Sequence, residues 1–217
     1  MRTFGFPEFL FILEAAQWTL ALSAIAFVGG AILGLIVALM RTSESKGARA
    51  AATTFIQIFQ GTPLLLQLFL IFFGAPVLGL DINPWIAAGV ALILNSAAFL
   101  GEIWRGCIEA IPRGQWEAAE ALSLKYTARM RDVVLPQAFM IALAPTVGYV
   151  VQIIKGTSLA AIIGFTEITR AGQIINNATF QPLIVFSVVA AIYFAICWPL
   201  SLLAARMERK RAQALAR

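Results

Sequence analysis

The sequence predicts an all-α, polytopic membrane protein with five spanning helices, and three observations carry that prediction. Of the 217 residues, 60% are hydrophobic and only 12% charged, against about 25% charged in an ordinary soluble domain. Apolar runs long enough to cross a bilayer recur five times, a 30 Å hydrocarbon core needing about 20 helical residues. The basic residues are confined almost wholly to alternate connections between those runs. With a mean hydropathy of +0.86, a soluble fold of this size could not hide its apolar surface in one core. A soluble enzyme, a disordered chain and a nucleic-acid-binding domain are therefore excluded. The pI of 9.7 reflects a net charge of only +5.

The first span covers about 15–40 and stops at Arg41. It holds Gly30-x-x-x-Gly34, a small-residue pair that admits close helix approach. The second covers about 55–80, with Gly61-Thr62-Pro63 as a kink inside it. The third, about 84–107, opens at Pro84, a favoured first helical position. The fourth, about 137–163, is interrupted by Pro145 and by Lys155-Gly156-Thr157-Ser158. The fifth, about 183–205, ends at a basic run from Arg206 to Arg211. Trp18, Trp85 and Trp198 fall near span ends, as interfacial anchors do. No linker or internal repeat divides the chain, so 1–217 reads as one domain with one large polar insertion at 109–136.

Thirteen of the sixteen basic residues lie in loop 41–54, segment 105–136 and the C-terminal tail. The opposite face carries Arg2 and Arg170, and Lys155 lies within a span. Cytoplasmic loops hold the Lys/Arg excess, which places the N-terminus outside and the C-terminus in the cytoplasm. The tail also suits contact with anionic membrane lipid. The N-terminus shows no A-x-A site before the first apolar run, so no cleavable signal is predicted. There is no histidine, which removes His-based triads and the usual zinc sites. No metal site is predicted, and Cys107 and Cys197 read as small buried hydrophobes.

Segment 109–136 is too polar to span. Its composition predicts a short helix from about Gln115, a turn near Ser123-Leu124, and a second helical stretch ending before Pro136. Ala118, Ala121 and Leu122 fall on one face of the first helix, with Trp116 and Ala119 beside them. A small-residue face with one projecting acid, Glu117, and one aromatic, Trp116, suits a partner's groove. Resting on the bilayer surface is the alternative.

Gly114-Gln115-x-Glu117-Ala118-Ala119-x-x-Leu122-Ser123, followed by Val134-Leu135-Pro136-Gln137-Ala138, resembles the EAA loop of type I ABC importer permeases. Gln60-Gly61-Thr62-Pro63-Leu64, Glu102-Ile103-x-Arg105-Gly106 and Lys155-x-Thr157-Ser158-Leu159 narrow the resemblance to the polar amino acid uptake branch, the histidine/glutamine/arginine permease type. Where that family usually has glycine after the leucine of the loop, this chain has Ser123. Gly156 also departs from the larger polar or acidic residue more common there.

The resemblance implies a type I ABC importer fold in a bacterial inner membrane, with alternating access driven by ATP. It implies an ABC ATPase dimer docked on Gly114, Gln115, Trp116, Glu117, Ala118, Ala119, Leu122 and Ser123. It further implies a second permease copy or a related permease, an extracytoplasmic amino-acid-binding protein, and an amino acid substrate. No lysine follows a glycine, so the chain lacks a Walker A loop. It is therefore expected not to be an enzyme and to bind no cofactor, with ATP and magnesium held by the partner ATPase. A self-sufficient secondary transporter or channel is the alternative, although neither needs a docking helix.

Ionisable groups at membrane depth are candidates for function. Glu102 could meet a substrate's cationic group or pair with Arg105, and Lys155 beside Thr157 and Ser158 could hold a carboxylate or snorkel to the interface. Asn95, with Ser96, could line the path or bond between helices. Gly61, Thr62 and Pro63 could expose freed carbonyls to a cavity.

Overall fold

A computed structural model describes residues 3–215. Met1, Arg2, Ala216 and Arg217 lie outside the described residues, and with them two of the basic residues used in the orientation argument. The described chain is helical almost throughout: α1 (Phe6–Glu14), α2 (Ala16–Thr42), α3 (Lys46–Gly61), α4 (Leu64–Val77), α5 (Pro84–Glu109), α6 (Arg113–Ala121), α7 (Tyr126–Ala128), α8 (Leu135–Gly156), α9 (Ile168–Thr179) and α10 (Pro182–Leu215). Four continuous helical stretches are long and apolar enough to cross a membrane, and α3 with α4 forms a fifth, bent by 99°.

The core is built around α5. Ala87, Ala88, Ala91, Ala97, Ala98, Leu92 and Leu100 on α5 are almost wholly buried. Such small side chains let α2 lie backbone to backbone against it. A Cβ at Gly30 would come within 2.5 Å of Ser96 Cβ, and one at Gly34 within 3.2 Å of the Ala97 carbonyl oxygen. The Gly30/Gly34 pair thus performs the packing read for it. Trp85 closes one end of this core, edge-on to Phe165 with centroids 4.5 Å apart and to Trp18 at 5.6 Å. It is therefore more a packing residue than a free anchor.

Several boundaries need correction. The second span is not one helix over 55–80. Pro63 disfavours helical backbone at the residue before it, and Thr62 adopts φ −117°, ψ 139°, with Pro63 itself at ψ 135°. Two consecutive extended residues swing α4 away from α3, far more than a proline kink alone. The second helical stretch of segment 109–136 does not end before Pro136 either. Residues 126–163 are one continuous helical rod. Arg129–Val134 form a π-helical turn, and the extra residue in that turn moves the preceding carbonyls clear of the proline ring. Glu109 belongs to α5, and the last helix runs past 205 to Leu215. At the far end of α8 the rod tightens into a 3-10 turn, Thr157–Ile163, which Gly164 ends at φ 87°. Two helices outside the predicted spans complete the fold: α1, and α9 in the connection between the fourth and fifth spans.

Candidate functional site

At the basic end of the bundle, α6 lies on a cluster of Ile108, Ile111, Met130, Val134 and Ala138, with Leu39, Trp116 and Tyr126 packed around it. Ala119 is buried and Trp116 half-buried, so these two face inward and hold the helix down. The outward face carries Gly114, Gln115, Glu117, Ala118, Ala121 and Leu122, the last 75% exposed. Ala118, Ala121 and Leu122, the small-residue face read for docking, are the outer surface, whereas Trp116, read as projecting with Glu117, turns inward. Tyr126 Oη donates to the Thr42 carbonyl at 2.9 Å, tying this region to the end of α2.

The helix ends in a Schellman motif. Ser123 N–H donates to the Glu120 carbonyl at 2.8 Å and Leu124 N–H to that of Ala119 at 3.1 Å. That motif requires a left-handed residue, and Ser123 supplies it at φ 56°. The turn has the shape glycine would give, at the steric cost serine carries there.

Within the bundle the candidate path residues fall into separate places. Glu102 lies near the basic end, held by Arg105 Nε at 2.9 Å and Arg105 Nη2 at 2.5 Å, with Arg41 Nε 4.0 Å away. Arg105 also binds Glu109. The Glu102 carboxylate is thus engaged by the chain's own arginines. Asn95 lies seven residues up α5, about 10 Å away by helical rise, and is buried.

Around Asn95 the structure gathers Gly61, Thr62 and Pro63 through Gln67, a residue the sequence reading passed over. Gln67 Nε2 donates to the Phe59 carbonyl at 2.8 Å, the Thr62 carbonyl at 3.0 Å and Thr62 Oγ1 at 2.9 Å. Asn95 Nδ2 donates to Gln67 Oε1 at 3.2 Å. Tyr149 Oη, on α8, lies 3.5 Å from Asn95 Oδ1 as donor. The signal was present: Gln67 is the one polar side chain in the run from Leu64 to Phe73, placed four residues after the proline.

Lys155 is exposed at the end of α8. The neighbouring Gly156 packs against Leu64 of α4 and Leu92 of α5, where a Cβ would meet them at 3.2 and 3.5 Å. It is thus the residue after Lys155 that packs at the start of α4. The two hydroxyls beside Lys155 spend their protons within the chain: Thr157 Oγ1 donates to the Ile154 carbonyl and Ser158 Oγ to that of Lys155, both at 2.7 Å.

Glu167 is a second residue passed over. Fully buried, it caps α9 by accepting from Thr169 N–H at 2.9 Å and Arg170 N–H at 2.8 Å, and it accepts from Tyr193 Oη at 2.6 Å. Burial pushes its carboxyl above the usual range, against the pull of these donors. It ties α9 to α10 and so supports the far end of the bundle.

Residues 30–213 match the family of binding-protein-dependent transport system inner membrane components. The chain is 35% identical over 205 residues to the probable amino-acid ABC transporter permease protein YckA of Bacillus subtilis, spanning 94% of this chain and 91% of that one. It is 36% identical over 206 residues to the glutamine transport system permease protein GlnP of Escherichia coli K12, spanning 94% of each. A solved amino acid ABC transporter crystallised with histidines superposes with TM-score 0.88 at 33% identity, over 96% of this chain and all of that one. The MetNI methionine ABC transporter shares the fold, with TM-score 0.79 at 19% identity, over 95% of this chain and 99% of that one. A multi-pass helical bundle with an outward-facing polar helix at one end, matched along nearly its whole length, places this chain in the family of binding-protein-dependent transport system inner membrane components, the membrane-embedded subunits of ABC importers.

Proposed function

We propose that this chain is the translocating subunit of an importer for polar amino acids, driven through α6 by a separate ATPase dimer. The observation that carries the reading is the division of α6. Trp116 and Ala119 are spent on the chain's own core, leaving an outer face of Gly114, Gln115, Glu117, Ala118, Ala121 and Leu122. Small side chains there admit close approach, Leu122 supplies an apolar anchor, and Glu117 offers a carboxylate to a basic side chain or a helix N-terminus of the partner.

The amino acid class is supported by relatives named for glutamine and L-cystine transport. An extracytoplasmic amino-acid-binding protein would deliver the substrate, and two permease copies, identical or related, would enclose the path. The clustering of Lys and Arg around α6, loop 41–54 and the tail supports a cytoplasmic C-terminus and an external N-terminus. ATP and magnesium would be held by the partner, since this chain has no Walker A loop. Substrate would pass near Gly61, Thr62, Pro63 and Asn95, which lie around the break in the second span, and near Lys155 at the end of α8. Glu102 would set the geometry of the cytoplasmic end through Arg105 and Arg41.

The test is purification of the chain from its native membrane in mild detergent, with bound proteins identified by mass and by ATP hydrolysis. A stoichiometric ATPase is expected. Glu117→Lys, on an exposed position, should leave insertion intact and abolish either ATPase association or coupled uptake. Normal uptake by that variant would sink the docking assignment.

A further inference from the structure

We infer that Gln67 and Asn95 are positioning residues: a two-residue clasp replaces the helical hydrogen bond that Pro63 deletes and holds the broken second span at one angle. In an unbroken helix the N–H of residue 63 would donate to the Phe59 carbonyl. Proline has no N–H. Gln67 Nε2 takes that place, 2.8 Å from the Phe59 oxygen, and covers the Thr62 carbonyl and hydroxyl with the same group. All three acceptors sit on the last turn of α3 or at the break, whereas the donor sits on α4, so these bonds run directly across the hinge.

Asn95 fixes the clasp from α5. Its Nδ2 donates to Gln67 Oε1 at 3.2 Å, which orients the carboxamide so that its NH2 faces the break, and it also reaches the Phe59 carbonyl itself at 3.4 Å. Tyr149 holds Asn95 in turn from α8, less than two turns before Lys155. Gln60 Nε2 donates to the Ala98 carbonyl at 3.2 Å, anchoring the α3 side of the break to α5 as well. Gln67 and Asn95 are both buried, where a carbonyl left without a donor is costly. A hinge between helices thus carries a defined angle set by side chains of three elements. The mechanical role rests on the translocation reading above; the clasp itself does not.

The test uses the complete complex in lipid vesicles, with spin labels on Gln57→Cys of α3 and Leu70→Cys of α4 in a Cys107→Ala/Cys197→Ala background. Both label sites are exposed. Gln67→Met keeps the length and removes both donors; Asn95→Leu keeps the bulk and removes the orienting bond. The parent should give one narrow distance between labels, each single variant a broadened or shifted one, and the double variant a distance at least as broad as Gln67→Met alone, since Asn95 also reaches the Phe59 carbonyl. Substrate-stimulated ATP hydrolysis should fall on the order of five- to tenfold, the weight of one buried hydrogen bond left unmade, with unstimulated hydrolysis retained. An unchanged distance in Gln67→Met overturns the clasp. A broadened distance with undiminished stimulation overturns its positioning role. If Gln67→Met fails to insert, Asn95→Leu, which removes the bond that orients the Gln67 carboxamide, is read alone under the same two criteria. Absence of stimulation in the parent complex would count against the importer reading alone, since the distances are read without transport.

Discussion

Substituting Gly30 by alanine adds one methyl group at the tightest point of the α2–α5 contact. The new Cβ would lie 2.5 Å from Ser96 Cβ and 3.3 Å from the Ser96 carbonyl carbon. Carbon atoms pack at about 3.5–4.0 Å, so the helices must separate by about 1 Å, and the obstacle is backbone and Cβ rather than a side-chain tip that could rotate. Overpacking of this kind costs about 1–3 kcal/mol, partly offset by the better helix propensity of alanine, about 1 kcal/mol. At Gly29 the clash is with Ile93 Cδ1 and Cγ1 at 2.8 Å and Cγ2 at 3.2 Å; both γ carbons sit on a β-branched helical residue whose χ1 is stiff, so Gly29→Ala should also be destabilising. Gly47→Ala, with nothing within 4 Å, supplies the control and should be neutral or slightly stabilising. Unfolding by titration from dodecylmaltoside into sodium dodecyl sulfate, followed by tryptophan fluorescence, gives the order directly. If Gly30→Ala is as stable as Gly47→Ala, the close approach of α2 to α5 is not what holds them together.

Ser123→Gly should raise stability by about 1 kcal/mol by relieving the left-handed backbone, with ATPase association retained; a loss of stability in the same titration would show that the serine side chain matters more than its φ. Tyr193→Phe should cost about 1–3 kcal/mol by stripping one donor from a buried carboxyl group. Glu167→Ala should cost more, because it also removes the cap of α9. Equal stability of Tyr193→Phe and the parent would refute the reading of that bond.

What the sequence disclosed follows from which forces are local. Hydrophobic length and charge asymmetry act residue by residue, so the membrane class and the four unbroken spans were legible from composition. The break at Thr62-Pro63 was legible as a kink, because proline's constraint is local. Its 99° angle was not, because it depends on α4 finding its place against α5 and the 3-10 turn. Gln67 was legible only in hindsight: its partner Asn95 is 28 residues away and the Phe59 carbonyl carries no sequence signature. Glu167 was hidden similarly, since a polar residue in a connection reads as solvated until Tyr193 is seen above it. The outer face of α6 was legible from its small residues, but the inward turn of Trp116 was not, because the cluster that takes its indole is built by residues outside the helix.

The uninterrupted rod from Tyr126 to Ile163 has a consequence for how a push on α6 would spread. Had the helix ended before Pro136, the segment under α6 and the fourth span would meet at a flexible joint, and displacement could be lost there. The π turn removes the joint while tolerating the proline. It also places Met130 and Val134, on which α6 rests, on the same rod as Tyr149 and Lys155. Met130 to Lys155 is 25 residues, about 38 Å of helical rise, comparable to the bilayer itself. A displacement of the α6 platform would therefore reach the clasp at Asn95 and the break in the second span with no loop in between. The cytoplasmic surface and the membrane interior are joined by one element, and the arrangement of the polar residues at its two ends is what a transmitted motion would act upon.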